Sequence, residues 1–451
     1  MNVEILPRHD QIVAQSGKTP LLILPPDKSI FHRLLIIGSL TRSMIKIPIA
    51  SIEEVPVDVY ATILALQSLG VPIEISRSSV ELQGVGLRGY HEPKHQIHCA
   101  NSGTTARFLI GLLAGQKFSA MLTGDASLSE RPMKRLADIL NADMGAEIIG
   151  SPSGNLPLRI IGRELHAAKV HLQVASSQMN TAILLAGLHA EGETSVISPV
   201  PTRDHSERMI KAFGGNILIR GDVTTIKSNS FSDLSEQIDY PLPGDMSSAS
   251  FQIAAATLSK QGIVLKNVGL NPSRRKFVDT LVAHGLVIEA REIVDEWNEL
   301  RGTVEIFASE SGLSKPFVIE SPEVVLLMDE MPLLAVLAAF IDGRSTFSNV
   351  GELRSKESDR IKGIVSNLRA FGVVAEESES GFVVDGDADF VPSGGMVAHS
   401  GDHRLAMAFS LFGLRARKSV TISDAEIVSI SYPRFFTDLA SVIGKHRIRI
   451  T

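Results

Sequence analysis

The chain has a single cysteine, Cys99, among its 451 residues. That excludes an intramolecular disulfide framework and a structural zinc site of several thiolates, and it fits a reducing compartment. Aromatic side chains make up only 5% of the sequence, with one tryptophan, too few for the ring platform on which single-stranded nucleic acid stacks. An excess of positive charge is missing too. Against 44 Lys and Arg stand 50 Asp and Glu, a formal net charge of -6, so no broad basic face is available to hold a polyanion by counterion release. Long apolar runs are also absent: Val324 to Met328 and Leu333 to Ile341 are separated by Asp329 and Glu330, and both fall short of the roughly 18 residues of a membrane span. The first residues, with Glu4, Arg8, His9 and Asp10, lack the apolar core of a secretory signal. Together these absences predict a soluble, cytoplasmic protein that binds neither nucleic acid nor membrane and whose cationic sites are local; a monomer is expected, though no absence dictates it.

What is present is a hydrophobic content of 44% with 36 glycines. At this length the chain exceeds one ordinary core and predicts two or three large units. One pattern recurs six times: a short polar turn, then a helix-length run of small and apolar residues. The turns begin at Asp27, Asn101, Ser176, Ser247, Asp329 and Asp402, at intervals of 74, 75, 71, 82 and 73 residues. A second marker agrees, since a more amphipathic helix in each repeat ends at a glycine stop, at Gly70, Gly145, Gly214, Gly285, Gly372 and Gly444. The long fourth interval places an insertion between Gly285 and Asp329, where the charged stretch Glu292 to Arg301 lies. Short β-branched runs after the stops, such as Val71 to Ile75, Glu147 to Ile149 and Val373 to Ala375, predict strands. A period of about 70 residues is too long for common solenoids, so the reading is two domains of three repeats each. Prolines mark the two places where the chain crosses between them, Pro25-Pro26 and Tyr240 to Gly244. The expected domains are 27–243, and 1–26 with 244–451.

The polar turns should carry the chemistry. Helix N-termini offer free N–H groups and the positive end of the dipole, which suits phosphate and carboxylate. Lys28, Arg33, Arg107, Arg131, Arg203, Lys356, Arg360 and Arg404 sit at or beside these ends. No cluster with metal-ligand spacing is evident, and His32, His205 and His403 read as packing or hydrogen-bonding groups.

The successive segments Pro26-Asp27-Lys28-Ser29-Ile30, Asn101-Ser102-Gly103-Thr104-Thr105, Arg131-Pro132-Met133, Ala175-Ser176-Ser177-Gln178, Arg203-Asp204-His205, Pro243-Gly244-Asp245, Lys356-Glu357-Ser358-Asp359-Arg360 and Gly401-Asp402-His403-Arg404 resemble, in order and over nearly the whole chain, the motifs of the 5-enolpyruvylshikimate-3-phosphate synthases. The resemblance implies an α/β fold of two similar domains, each of three βαβαββ repeats, with the active site in the interdomain cleft. It implies transfer of the enolpyruvyl group of phosphoenolpyruvate to the 5-hydroxyl of shikimate 3-phosphate, on the route to chorismate and the aromatic amino acids, without a cofactor or metal. Lys28 would meet both substrates. Ser29, Arg33, Ser176, Ser177, Gln178, Arg203, Asp329 and Lys356 would hold shikimate 3-phosphate. Gly103, Arg131, Gln178, Arg360 and Arg404, with Lys356 beside them, would hold phosphoenolpyruvate, whose anionic groups suit forked donors. Asp329 is the candidate to orient and deprotonate the hydroxyl, and Glu357 the candidate to protonate C3, with Lys28 assisting.

Two positions depart from the pattern. Phe31 stands where the family usually has serine and is expected to face the core; Cys99 stands where a small residue is common and reads as a buried apolar side chain. The alternatives are an enolpyruvyl transferase acting on UDP-N-acetylglucosamine and an RNA 3'-phosphate cyclase-like protein. The first typically has a reactive cysteine where this chain has Ala126, and the second needs a polynucleotide surface that the charge balance denies.

Overall fold

Each of the six polar turns starts a buried helix, and in five of them a side chain closes the first turn. Asp27, Ser102, Ser176, Asp245 and Asp402 accept from the backbone N–H of Ile30, Thr105, Met179, Ser247 and Arg404. Such a cap stabilises a helix by about 1 kcal/mol. The fifth helix, Met331–Ala338, follows Glu330 without a side-chain cap and has Pro332 in its first turn, where a missing N–H costs nothing. In the fourth repeat the helix starts at Met246, with Asp245 as its cap, just ahead of the expected turn at Ser247. The computed structural model describes residues 1–7, 19–228, 231, 237–309 and 312–451; Arg8, His9 and Asp10 lie outside the described residues.

The glycine stops behave as the sequence predicts. Gly70, Gly145, Gly214, Gly285, Gly372 and Gly444 have φ of 88°, 71°, 74°, 105°, 99° and 101°, a region that L side chains enter only with strain. Strands then follow. In the second repeat Ile97–His98 runs parallel to Ser119–Thr123, which pairs antiparallel with Leu158–Ile161, itself antiparallel to Glu147–Ile149. With helices Gly103–Ala114 and Lys134–Met144 between the strands, this is a βαβαββ unit. The same four-strand order occurs in six separate sheets.

Three of these sheets draw a strand from far along the chain. Gln237–Asp239 supplies the first strand of the first repeat, parallel to Met44–Pro48. Leu21–Ile23 does the same for the fourth, parallel to Ile263–Gly269. Val3–Ile5 sits between Val420–Ile422 and Ile448–Ile450 in the sixth.

The chain forms two compact units, one of residues 26–242 with 295–299, the other of residues 1–25, 243–294 and 300–451. The insertion in the fourth repeat is a long hairpin, Ile288–Glu296 and Glu299–Ile306, whose tip, 295–299, groups with 26–242. The expectation of two crossings did not include this tip. Each unit has its own core, built on the first helices of its repeats. In the first unit the Gly103–Ala114 and Ser177–Gly187 helices pack so closely that a Cβ on Gly111 would lie 2.0 Å from the carbonyl oxygen of Ala182. Second helices bury one stripe; Lys134–Met144 buries Leu136, Ala137, Leu140 and Met144, the spacing of one helix face.

Candidate active site

In the unit of residues 26–242 the chemistry gathers at helix starts. Lys28 is the first residue of its helix, and its Nζ donates to Asp58 Oδ2 at 2.9 Å. One turn on, Arg33 is only 3% exposed. Its Nε donates to Ser206 Oγ at 2.7 Å, Nη1 to the Ser29 carbonyl at 2.9 Å and Nη2 to Ser177 Oγ at 2.8 Å, while its guanidinium lies 5.0 Å from the Phe108 ring centre. A buried guanidinium needs such a full set of acceptors. Arg33 thereby joins the starts of three helices. Ser177 in turn donates to the carbonyl of Arg203 at 2.9 Å, so Ser29, Arg33, Ser176, Ser177 and Arg203 form one neighbourhood, with Ser176 as the cap.

Gln178 belongs to the next neighbourhood. Its Nε2 donates to Thr104 Oγ1 at 2.9 Å and its Oε1 accepts from Arg107 Nη1 at 2.7 Å. Arg131 donates through Nη2 to Asn101 Oδ1 and Ser127 Oγ, and Asn101 donates to Asp125 at 2.7 Å. Gly103 opens the helix between them: a Cβ there would stand 2.9 Å from Arg107 Nη1 and 3.4 Å from Arg131 Nη1. The glycine therefore leaves two guanidinium groups unobstructed beside a helix N-terminus. Guanidinium groups beside a helix N-terminus are donors of the kind that suit an anion.

The other unit assembles its site around Arg360, which is 1% exposed. Nε donates to Asp402 Oδ2 at 2.7 Å, Nη2 donates to Glu357 Oε2, and Nη1 lies 3.6 Å from Asp329 Oδ1. Burial opposes the charge of this arginine, but the carboxylates of Asp402, Glu357 and Asp329 hold its pKa above the usual value. Arg404 Nη1 donates to the Asp329 carbonyl at 3.0 Å, and Nη2 stands 3.5 Å from the Asp329 carboxylate. Lys356 takes an extended backbone between the 3-10 turn Gly351–Ser355 and the Arg360–Ala370 helix. Asp359 caps that helix and is bonded by Arg354 at 2.7 Å.

Behind this cluster lies a second, which sequence reasoning missed. Arg274 Nη2 donates to Asp245 Oδ1 and to Ser247 Oγ, both at 2.9 Å, and Ser247 donates to Glu330. Burial works against ionisation of Asp245, yet Arg274 and Arg404 hold it below the ordinary carboxylate range. Asp58 and Arg274 carried no sequence signal, because each lies away from the repeated turn. Asp402 and Asn101 stood inside quoted motifs, where their roles as arginine partners were legible only as capping or turn residues.

Phe31 is fully buried in the core, and burial pushes the Cys99 thiol up to about 12, so both departures are packing residues as expected. Among the described residues no group of three or more His, Cys, Asp or Glu side chains is placed to hold a metal ion. No described helix is long and apolar enough to cross a membrane.

Comparison with known proteins agrees with the geometry. The family model of EPSP synthase (3-phosphoshikimate 1-carboxyvinyltransferase) matches residues 14–439. The 3-phosphoshikimate 1-carboxyvinyltransferases of Lactiplantibacillus plantarum and Aquifex aeolicus are 40% and 39% identical over 430 residues, which cover 94% of this chain and 96% of each relative. Among solved structures, EPSP synthase from Acinetobacter baumannii superposes with a TM-score of 0.81 at 34% identity, covering 100% of this chain and 99% of that one. The enolpyruvyl transferase NikO from Streptomyces tendae gives 0.76 at 15% identity, covering 100% and 98%, a likeness of fold alone. Six repeats, three of whose first helices carry an arginine near the start, and a match that spans nearly the whole sequence place this chain in the EPSP synthase family.

Proposed function

We propose that the chain transfers the enolpyruvyl group of phosphoenolpyruvate to the 5-hydroxyl of shikimate 3-phosphate. In the addition step the hydroxyl oxygen bonds to C2, the hydroxyl loses its proton and C3 gains one. In the elimination step the bond from C2 to the phosphate oxygen breaks and C3 gives up a proton, leaving the enol ether and inorganic phosphate.

The observation that carries this reading is the arrangement about Arg360, where one buried guanidinium bonds Glu357 and faces Asp329, with Arg404 on the far side of Asp329. Two acids beside two fixed cations are what the reaction needs: Asp329 to orient and deprotonate the hydroxyl, Glu357 to protonate C3, and Arg360, Arg404 and Lys356 to bind the anions. Gly103 and Arg131 are assigned to phosphoenolpyruvate, Ser29, Arg33, Ser176, Ser177 and Arg203 to shikimate 3-phosphate, and Lys28 and Gln178 to both. On the same reading the enzyme works as a cytoplasmic monomer and needs no metal.

Phosphate release decides the matter. It should require both substrates together, continue in the presence of a chelator, and stop when UDP-N-acetylglucosamine replaces shikimate 3-phosphate. Equal turnover with that acceptor overturns the reading.

A further inference from the structure

Two rungs connect the Lys28–Ser39 and Val57–Ser68 helices. At the first, Lys28 bonds Asp58. At the second, one helical turn further along both helices, His32 Nδ1 lies 2.7 Å from Thr62 Oγ1. The second rung does not stop there. Thr62 Oγ1 is 2.7 Å from Thr105 Oγ1, and Thr105 Oγ1 donates to Ser102 Oγ at 2.7 Å. Ser102 is the cap of the helix that begins at Gly103, accepting from the Thr105 N–H at 3.2 Å. His32, Thr62, Ser102 and Thr105 are each at most 1% exposed, so bulk solvent does not reach them.

The direction of the chain follows from proton counting. A hydroxyl has one hydrogen to give. Thr105 gives its hydrogen to Ser102, so Thr62 must donate to Thr105, and His32 must donate from Nδ1 to Thr62. The imidazole is then the neutral Nδ1–H tautomer. Its Nε2 is buried with no hydrogen-bond partner among the described residues, a site where a second proton would find no acceptor among them. Burial first, then Lys28 and Arg33, also press its pKa well below the usual histidine value.

We propose that His32 is a positioning residue for phosphoenolpyruvate, acting through Thr62 and Thr105 to hold the Ser102-Gly103 turn in register with Lys28. The proposal rests on the assignment of Lys28 and Gly103 to phosphoenolpyruvate. The helix bearing Lys28 and the turn bearing Gly103 are fastened by one buried, one-directional hydrogen-bond chain, so the anion donors of two repeats move as a unit. The neighbourhood of Arg33, Ser177 and Arg203 is fastened separately, through Ser206 and the Ser177 hydroxyl. Breaking the chain at its middle releases the Ser102-Gly103 turn, whereas Lys28, which would meet both substrates, stays bonded to Asp58; the loss should therefore fall on phosphoenolpyruvate and spare shikimate 3-phosphate.

The test replaces Thr62, which touches no proposed substrate. Thr62→Val keeps the shape and removes both bonds; Thr62→Ser keeps the hydroxyl. Wild-type phosphate release with both substrates first establishes the underlying reading independently. Thr62→Val should then raise the Michaelis constant for phosphoenolpyruvate about tenfold, as expected for a buried bond left unmade. The dissociation constant of shikimate 3-phosphate, from calorimetry, should stay within about twofold, and Thr62→Ser should stay near wild type for both. Nitrogen-15 spectra of the wild-type imidazoles, with His32→Asn for assignment, should show His32 protonated at Nδ1 and not titrating between about pH 6 and about pH 8. An unchanged Michaelis constant in Thr62→Val, an equal loss for both substrates, or an Nε2–H signal from His32 overturns the proposal. The spectra decide on their own should the valine variant fail to fold.

Discussion

At the scale of single residues, Glu357 is bonded to a guanidinium that is itself locked by Asp402, so its carboxyl is held in place before any ligand arrives. Glu357→Gln preserves shape and hydrogen bonding but has no proton to give. Turnover should fall by roughly 100-fold to 10,000-fold, the scale of general acid catalysis, with little change in shikimate 3-phosphate affinity. Lys356→Met should instead weaken phosphoenolpyruvate binding. Single-turnover rates separate the two effects, and a near-wild-type chemical rate in Glu357→Gln removes that residue as the proton donor. Gly103 makes a second case. Glyphosate should compete with phosphoenolpyruvate, and Gly103→Ala should raise its inhibition constant much more than the Michaelis constant. The added methyl would meet the ends of the Arg107 and Arg131 side chains, which can shift for the substrate but leave less room for the inhibitor. Inhibition assays on both proteins check this; a wild type insensitive to millimolar glyphosate would assign the selectivity elsewhere.

Glu207 gives a prediction in pH. It is buried, its Oε1 accepts from Asn180 Nδ2 at 2.6 Å, and its other oxygen has no hydrogen-bond partner among the described residues. Burial pushes its carboxyl up to about 7, against the pull of a backbone hydrogen bond, Arg33 and Asn180. A carboxyl with a raised folded pKa binds its proton more tightly in the folded chain. Its contribution to stability is therefore complete below the ordinary value of 4.5 and is lost as pH rises through about 7. Between about pH 5 and about pH 8, wild type should lose on the order of 3 kcal/mol relative to Glu207→Gln. Denaturant titrations at the two ends check it; parallel pH dependences in both proteins would count against the shift.

At the scale of elements, the repeat was legible because its two markers are local. A capping residue before an apolar run and a glycine after an amphipathic one act within a few residues, whatever the rest of the chain does. Strand pairing was not legible in the same way. Nothing near Leu21–Ile23 announces Ile263–Gly269, and nothing near Val3–Ile5 announces Val420–Ile422; those partners are set by long-range packing. The site divides likewise. Arginines inside the repeated turns could be picked out, whereas Asp58 and Arg274, which hold Lys28 and Asp245, are placed by the packing of a repeat's later residues against its own turn. The glycine stops can be tested directly. Gly70→Ala meets both a φ of +88° and a Cβ position 2.7 Å from His91 Nδ1, whereas Gly221, with φ of +62°, has nothing within 4 Å. Gly221→Ala should cost about 1 kcal/mol of backbone strain and Gly70→Ala about 2 to 3 kcal/mol. Thermal unfolding of the pair measures the difference, and equal midpoints would mean that His91 moves aside without cost.

At the scale of the whole molecule, the chain passes from one unit to the other at 25/26 and 242/243, with the hairpin tip 295–299 as a further passage. Closure on shikimate 3-phosphate is the corresponding proposal, with the proline-flanked crossings as hinges. The tip offers a built-in reporter. Trp297, the one tryptophan of the chain, stacks on Tyr240 with ring centres 5.9 Å apart and donates to the Asp239 carbonyl at 3.2 Å. Glu299 beside it accepts from His205 Nδ1 at 2.7 Å. Tyr240 lies just before the 242/243 crossing, and Trp297 sits between the 294/295 and 299/300 passages to strand residues of the other unit, so a movement about these crossings bends the chain on either side of the stacked pair and changes its surroundings. Saturation with shikimate 3-phosphate should therefore lower the radius of gyration in solution scattering and change tryptophan emission with the same dissociation constant. A scattering profile and an emission spectrum that both stay unchanged at saturation would show that the units do not move on binding and would overturn the proposal of closure.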